Sequence, residues 1–444
     1  MRRDRNRMGW AVVASCLALL AAACGSGDSD DGDGGGGGGD GVVFFGTQFN
    51  AVEERDAIQS EVLADYDGDA DFVTVGTEGE FIDRVVAESE ADQGEVSLLH
   101  GIHGDFADLQ SQDMLADLSD LADDLADAGI PQELLDLGKL GTDTQYYIPW
   151  LQASYVVAAS NEALEYLPDG ADVENLTYDE FLEWAQNTAD AEGTPRFGFP
   201  AGEEGLMHRF LQGYLVPSFS GGVVTTFGDT AGWEYLAELW PSVHPQSSTY
   251  EFMQDPLLNG EVQVAWDHTA RLVTAIESRP DDFVVVPAPA GPEGRAFMPV
   301  VAGLAIPNTA PNVEGAEDLI RYLLEAQTQG VTQNATGFLP VVDLGDDVEV
   351  SPGVQPLVDA VGRQAAADDA LFVSLPQGLG EEDEAFGDLF RNAFERTAVN
   401  GEDVAGAIAQ EAANLDELMQ DAGAACWEPD PPSDGEPCRV GGGS

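Results

Sequence analysis

The stretch that decides the fold is YIPWLQASYVVAASN, residues 147–161. Residues 145–150 and 155–159 have the apolar, β-branched and aromatic composition of buried strands, and Pro149 lies in the first of them. Predicted strands and helices alternate before this stretch, with strands at 42–45, 72–75 and 96–99 and helices at 53–64, 80–88, 105–118 and 121–128. They alternate again after it, with helices at 178–188, 233–240 and 316–327, strands at 262–266, 283–287 and 300–306, and a mainly helical end from 354 to 419. This alternation predicts an α/β protein built from two successive β-α regions.

The amino terminus has the features of an export signal. Four arginines precede residues 8–23, a run without charged side chains that is short for a membrane span. Ala21-Ala22-Ala23 before Cys24 resemble a bacterial lipoprotein lipobox, which implies a signal peptide at 1–23 and lipidation of Cys24. We therefore expect an extracytoplasmic protein anchored to the cell membrane, with the Gly/Asp-rich residues 25–41 as a flexible tether. An ordinary secretory signal with an incidental cysteine is the alternative.

The charge balance is extreme. The chain has 82 Asp and Glu against 17 Lys and Arg, a net charge of −65. Such self-repulsion disfavours a compact state unless salt screens it. Because the acids are spread along the chain, we interpret them as adaptation to high salt rather than as a surface for one basic partner. The same charge argues against nucleic acid as a partner.

Two cysteines remain after the signal and Cys24. Cys426 and Cys438 lie in the segment 423–444, which is rich in proline, glycine and acids. An exported location permits a disulfide, and no histidine lies nearby to suggest a metal site. We expect a structural disulfide in a peripheral tail.

Five segments in a fixed order resemble a known family. They are 147–161, 259–266 (NGEVQVAW), 287–294 with 301–307 (PAPAGPEG and VAGLAIP), 336–340 (TGFLP) and 400–418. From residue 42 to about 420 the chain is similar to the extracellular solute-binding proteins of ABC importers, particularly the sugar-binding group that contains maltose-binding protein.

The resemblance implies a periplasmic-binding-protein-like fold of two discontinuous α/β lobes joined by a hinge, with a ligand cleft between them. The first lobe would comprise 42–150 and about 298–340, and the second 151–297 and about 341–422. Such a protein would capture an extracellular solute, here a sugar or oligosaccharide, by lobe closure and deliver it to ABC permease subunits in the membrane. We expect a monomer without catalytic residues, metal or cofactor.

Two rules select the candidate ligand-binding residues. Ligands of open α/β sheets lie beyond the carboxyl ends of the strands, and sugars suit aromatic platforms combined with planar hydrogen-bonding groups. Trp150 and Trp266 are the predicted platforms. The predicted polar contacts are Thr47, Gln48, His100, His103, Asp105, Gln152, Glu203, Glu204, Asp267, His268 and Arg271. The resemblance adds the aromatic ring of Phe386.

Several alternatives stay open. Trp150 could belong to the core of the hinge, and any one carboxylate could be solvated surface in so acidic a chain. His100-x-x-His103-x-Asp105 has donor types found in zinc sites, but its spacing in a glycine-rich segment differs from the helical HExxH pattern. A lipid-anchored glycoside hydrolase with two carboxylates, or a binding protein for another polar solute, are the competing functions.

Overall fold

The computed structural model describes residues 41–442, except residues 50, 51, 92, 93, 204, 346 and 347. The predicted signal peptide, Cys24 and the tether up to residue 40 lie outside the described residues. Within the described part of the chain, no helix has both the length and the apolar character needed to cross a bilayer.

The strands of the described residues form a six-stranded sheet, a four-stranded sheet and a two-stranded pair. The strands are β1 (Val42–Gly46), β2 (Ala70–Thr74), β3 (Leu98–Ile102), β4 (Ile148–Ala153), β5 (Tyr155–Ser160), β6 (Phe197–Gly198), β7 (Val264–His268), β8 (Phe283–Val286), β9 (Arg295–Phe297), β10 (Val300–Ala305), β11 (Leu339–Pro340) and β12 (Ala370–Phe372). The first sheet has the order β11-β4-β10-β3-β1-β2, the second β6-β7-β5-β8, and β12 pairs with β9. In the first sheet, β1 runs parallel to β2 and β3.

Helices surround both sheets. They are α1 (Val52–Ala57), α2 (Glu78–Ala91), α3 (His103–Ser111), α4 (Ser119–Asp124), α5 (Gln132–Leu137), α6 (Tyr178–Glu192), α7 (Met207–Phe210), α8 (Val216–Ser220), α9 (Ala231–Leu239), α10 (Gln254–Leu258), α11 (Thr269–Ser278), α12 (Val313–Leu323), α13 (Ala326–Thr336), α14 (Gln355–Ala365), α15 (Asp383–Phe394) and α16 (Val404–Ala422). A π-helical segment at Leu211–Leu215 joins α7 to α8, and such distortions of a helix are frequent at functional sites.

A single residue connects the first sheet to the second where the chain first crosses between them. Ser154 separates the end of β4 from the start of β5. Strands of the first sheet come from 42–153 and 300–340, and strands of the second come from 155–286. Each sheet with its helices forms one lobe. The lobe boundaries predicted from the sequence lie beside these sheet boundaries and stay a prediction.

The apolar run of β5 is explained by burial on both of its faces. Tyr155 and Val157 face the larger hydrophobic core, whereas Val156 and Ala158 face a second core that includes Leu272 of α11. Successive side chains of a strand point to opposite faces, so only a strand covered on both sides can be apolar throughout.

Several predicted element boundaries differ from the structure, and those of β3, α3 and β7 affect the site. The third strand runs to Ile102 rather than ending at residue 99, and α3 ends at Ser111 rather than at 118. β3 lies between β1 and β10, and β10 pairs with it as far as Ile102. Similarly, β7 runs to His268 because it pairs with β5 up to that residue. Long-range pairing therefore extends both strands into segments that resemble loops in the sequence.

The predicted peripheral tail is attached to the body of the protein through a buried side chain. Cys426 and Cys438 form a disulfide, and the Asp430 side chain is 4% exposed. The Asp430 carboxylate accepts hydrogen bonds from the backbone N–H groups of Val223, Val224 and Thr225. Asp430 is buried because it completes the hydrogen bonding of a turn two hundred residues earlier in the chain, whereas most other residues of the tail are exposed or half-buried.

Candidate functional site

A cleft of about 1130 Å³ is lined by residues from both sheets. Thr47 follows β1 and Asp105 lies in the first turn of α3, so both project from the carboxyl ends of parallel strands of the first sheet. Tyr155 and His268 face each other in the β5–β7 register of the second sheet. Residues of α15, including Phe386, complete the lining. The site therefore lies where open α/β sheets commonly bind ligands.

Hydrogen bonds order the first-sheet side of the cleft. Thr47 Oγ1 donates to Asp105 Oδ2 at 2.7 Å, and the Ile102 backbone N–H donates to the same oxygen at 2.9 Å. Gln48 Nε2 in turn donates to Thr47 Oγ1 at 3.0 Å. Gly46 permits this arrangement, since a Cβ there would lie 1.6 Å from the His100 carbonyl oxygen. The structure thus brings together three residues selected from the sequence, Thr47, Gln48 and Asp105.

Burial dominates the ionisation of Asp105. It raises the pKa of this carboxyl to about 6, opposed by the hydrogen bonds from Thr47 and Ile102 and reinforced by the nearby charge of Asp383. Burial also raises the pKa of Asp383, with Arg209 acting against it. Two carboxyl groups of the cleft are therefore easier to protonate than ordinary acids.

We expect Asp105→Asn to change the pH dependence of stability. The folded-state pKa of about 6 exceeds the ordinary value of 3.8, so the stabilisation by proton binding is complete below about pH 4 and is lost as the pH rises through 6. Asparagine keeps an oxygen for both hydrogen bonds. Relative to the variant, the wild type should lose on the order of 3 kcal/mol of unfolding free energy between pH 4 and pH 7.

Urea unfolding in molar KCl at both pH values measures this difference. Asp123→Asn, on an exposed position of α4, is the matched control and should differ from the wild type equally at both pH values. Parallel pH profiles of the wild type and Asp105→Asn would show that Asp105 titrates like an ordinary acid.

The second-sheet side of the cleft holds buried polar atoms without hydrogen-bond partners among the described residues. They are Tyr155 Oη, His208 Nδ1, Gln212 Nε2 and His268 Nδ1. Burial lowers the pKa of His268 to about 3 and that of His208 well below its ordinary value, so both rings are neutral at physiological pH. Unpaired buried polar groups are destabilising, and their convergence on one cleft indicates a polar ligand.

Three arginines also line the cleft, in a chain where basic residues are few. Arg271 donates to the carbonyl oxygen of Glu251 at 2.9 Å, and its guanidinium lies 4.1 Å from the centre of the Phe252 ring. Arg391 donates to the carbonyl oxygens of Glu203 and Gly205. Arg209 donates to Gln212 Oε1 at 3.3 Å.

The aromatic surface of the cleft differs from the one expected. Phe49 and Phe338 lie with ring centres 5.1 Å apart, and the His268 ring lies 5.4 Å from Phe338. All three line the cleft, as does Phe386. These rings provide apolar faces beside polar groups, the combination that suits a sugar ring.

The two tryptophans selected as platforms lie in the core instead. Trp150 is fully buried and its ring packs near Phe44 and Phe49, while Trp266 stacks on Tyr155 at 4.4 Å. Neither is among the described residues that line the cleft. Trp150 packs against Phe49 and Trp266 against Tyr155, and these two partner rings line the cleft. Any effect of the tryptophans on binding would therefore be indirect.

Two of the selected histidines are core residues with separate partners. His100 lies within β3 between the rings of Phe44 and Phe72, each 4.7 Å away, and burial lowers its pKa to about 3. His103 accepts from Tyr147 Oη and donates to the Pro376 carbonyl oxygen. Among the described residues, no group of three or more His, Cys, Asp or Glu is placed to hold a metal ion.

The remaining selected residues are divided between the cleft and its surroundings. Glu203 and Arg271 line the cleft. Gln152 Nε2 donates to the Pro340 carbonyl oxygen and so ties β4 to β11. Asp267 is buried and accepts hydrogen bonds from the backbone N–H groups of Met253 and His268. Glu204 lies outside the described residues.

Sequence reasoning missed Tyr155, His208, Arg209, Gln212 and Phe338. Tyr155 and Phe338 lie in segments already singled out for the resemblance, at 147–161 and 336–340, so the motifs pointed to the right places. His208, Arg209 and Gln212 lie on α7 and the following π-helical segment, where no strand end marks them. The rarity of histidine and arginine in this chain was the one available signal.

Two α/β lobes that enclose a cleft lined with polar and aromatic side chains define a binding protein of the periplasmic-binding-protein fold. The chain belongs to the bacterial extracellular solute-binding protein family, whose model matches residues 51–330. No curated protein sequence matches the chain.

Solved structures of low sequence identity share the fold. The maltose-bound MalE3 of T. maritima has a TM-score of 0.69 at 17% identity, over 85% of this chain and 100% of that one. The GacH receptor of Streptomyces glaucescens, solved unliganded and with acarbose, has a TM-score of 0.68 at 17% identity, over 86% and 98%. UgpB from Mycobacterium tuberculosis, in complex with glycerophosphocholine, has a TM-score of 0.67 at 16% identity, over 87% and 99%.

Proposed function

We propose that this protein captures an extracellular sugar or oligosaccharide in the cleft and delivers it to the permease subunits of an ABC importer. The observation that carries this proposal is the convergence of unpartnered polar atoms, including Tyr155 Oη and Gln212 Nε2, with the rings of Phe49 and Phe338 in one cleft. A solute that contacts both lobes at once favours the closed state, because only that state provides both sets of contacts. Chemistry on the solute is not required.

Attachment to the cell surface is part of the proposal. Lipidation of Cys24 would hold a monomer on the membrane, and the acidic composition would suit a saline exterior. Mass spectrometry of the amino-terminal peptide tests the lipid: a peptide that begins at Cys24 without acyl chains would disprove it.

We expect Tyr155→Phe to weaken sugar binding without loss of stability. The Tyr155 hydroxyl has no partner among the described residues, so its removal leaves no protein group unpaired. Loss of one hydrogen bond to a ligand should lower the affinity about three- to thirtyfold. A thermal-shift screen of neutral and acidic mono- and oligosaccharides in molar KCl finds the ligand, and calorimetric titration measures the affinity.

Tyr235→Phe is the matched control. The Tyr235 hydroxyl donates to the Tyr178 carbonyl oxygen at 2.9 Å and is not a cleft residue, so this variant should lose stability and keep its affinity. Chromatography of the sugar after incubation distinguishes a binding protein from a glycoside hydrolase, because a binding protein leaves the sugar intact. Appearance of shorter sugars would favour the hydrolase, and absence of any bound sugar would refute the proposal.

A further inference from the structure

Most positive charges in the described chain are paired with carboxylates. Nine lysine and arginine residues have a carboxylate oxygen within 2.5–3.8 Å. Examples outside the cleft lining are Arg363 with Glu174 at 2.6 Å and Arg439 with Asp416 at 2.6 Å. With 82 acids against 17 bases, an arginine without a carboxylate partner is therefore an exception that needs a reason.

Arg209 and Arg271 are such exceptions, and both line the cleft. Neither has a carboxylate oxygen of the described residues within 4.0 Å. Arg209 donates to the neutral amide oxygen of Gln212, and Arg271 donates to a backbone carbonyl and stacks on Phe252. Neutral groups therefore hold both guanidinium groups in place, and neither forms an ion pair with a carboxylate of the described residues.

The two charges act on the same part of the cleft. Burial raises the pKa of Tyr155, and the charges of both arginines act against that rise. Burial also lowers the pKa of His208, and both arginines lower it further. Arg209 also orients the Gln212 amide, because it occupies Oε1 and leaves Nε2 without a partner among the described residues. Two cations and two neutral donors, Tyr155 Oη and Gln212 Nε2, thus surround one region.

Two buried carboxyl groups feel these charges, since Arg209 opposes the raised pKa of Asp383 and Arg271 opposes that of Asp267. Asp383 is the acid whose ionisation Arg209 influences, yet its oxygens lie beyond 4.0 Å from that guanidinium. Burial raises the pKa of both Asp383 and Asp105, which reduces their repulsion of an anion. The lining of the cleft thus combines three arginines with several acids, among them Asp105 and Asp383.

We propose that the solute carries an oxoanion, a carboxylate or a phosphate ester, which Arg209 and Arg271 bind together with Tyr155 Oη and Gln212 Nε2. The inference rests on the proposed function and makes it more specific: the ligand is an acidic sugar. Guanidinium groups match the planar, multiple acceptors of carboxylate and phosphate, and charge-assisted hydrogen bonds of this kind are about twice as strong as neutral ones. While the arginines bind the oxoanion, Asp105 and Gln48 remain available to bind the hydroxyl groups of the sugar.

The test compares matched ligands in molar KCl by calorimetric titration of the full chain. Glucuronate and glucose 6-phosphate are the acidic probes, glucose is their neutral counterpart, and the two acids distinguish carboxylate from phosphate. We expect one acid to bind at least about tenfold more tightly than glucose. Arg209→Gln and Arg271→Gln should each weaken that acid about ten- to hundredfold and change the affinity for glucose little.

Arg363→Gln removes a paired arginine outside the cleft and should leave every affinity unchanged, and urea unfolding of each variant checks its fold. Equal affinities for glucose and both acids, or equal losses for neutral and acidic ligands in the arginine variants, would overturn the inference. Tight binding of neutral sugars alone would refute the proposal that the ligand carries an oxoanion, and the proposed sugar-binding function would still stand. Failure of every sugar in the thermal-shift screen would refute both.

Discussion

Trp266→Ala is expected to lower the free energy of unfolding by about 3 to 5 kcal/mol, the usual loss for a large aromatic side chain in a core. The Trp266 side chain is 1% exposed, and its ring lies parallel to that of Tyr155 with centres 4.4 Å apart. Phe210 and Tyr214 enclose it at 4.9 and 5.4 Å. Alanine would leave a cavity directly behind Tyr155, so ligand affinity should fall as a consequence.

Urea unfolding in molar KCl measures the stability, and titration with the ligand found by thermal shift measures the affinity. Trp266→Phe should recover part of both, because a smaller ring still fills part of the space. Val399→Ala, at a side chain that is 45% exposed, is the control and should change stability by less than about 0.5 kcal/mol. Wild-type stability of Trp266→Ala, with only its affinity reduced, would instead support the platform role predicted from the sequence.

Asp430→Ala is expected to destabilise the protein by at least about 3 kcal/mol. Its Oδ2 accepts from Val223 and Val224 at 3.0 and 2.8 Å, and its Oδ1 accepts from the Thr225 backbone N–H at 3.0 Å and from the Thr225 hydroxyl. Each buried donor left without a partner costs about 1 to 3 kcal/mol. The carboxylate therefore contributes more than any single ion pair on the surface of this acidic protein.

The loss of Asp430 should also have a local effect on the backbone amides that it binds. Hydrogen exchange of the Val223, Val224 and Thr225 amides should accelerate in the Asp430 variant, because these donors lose their acceptor. Glu436→Ala, at an exposed position of the same tail, is the control and should leave both stability and exchange close to wild type. Unchanged exchange at the three amides would contradict the role assigned to Asp430.

The candidate site could be predicted in part. Thr47, Gln48 and Asp105 were selected because they follow predicted parallel strands, and the structure joins them by hydrogen bonds at the edge of the cleft. His100 was selected by the same reasoning and lies inside β3, since pairing with β10 lengthens that strand. When the neighbouring strand pairs beyond the predicted end of a strand, a residue at that end becomes part of the core. When the pairing stops there, the residue can contact a ligand.

The tryptophans show a second limit of sequence reasoning. Trp150 and Trp266 are large and lie near strand ends, which made them plausible platforms. Both side chains are buried among other apolar residues of the larger hydrophobic core. The rings beside them, Phe49 and Tyr155, are the ones that line the cleft. Composition cannot show which of two adjacent aromatic rings lines a cleft.

The sequence by itself determined the α/β class and many of the elements. For example, the helix predicted at 178–188 is present as α6, and the Thr177 side chain caps its first turn by accepting from the Glu180 backbone N–H. Such features depend on neighbours within one helix or strand, whose spacing the sequence contains directly. Only the tertiary structure decided which side chains share the cleft and that Asp430 of the tail is buried. Those outcomes depend on strand register and on contacts such as Asp430 with Val223, which join residues far apart in the chain.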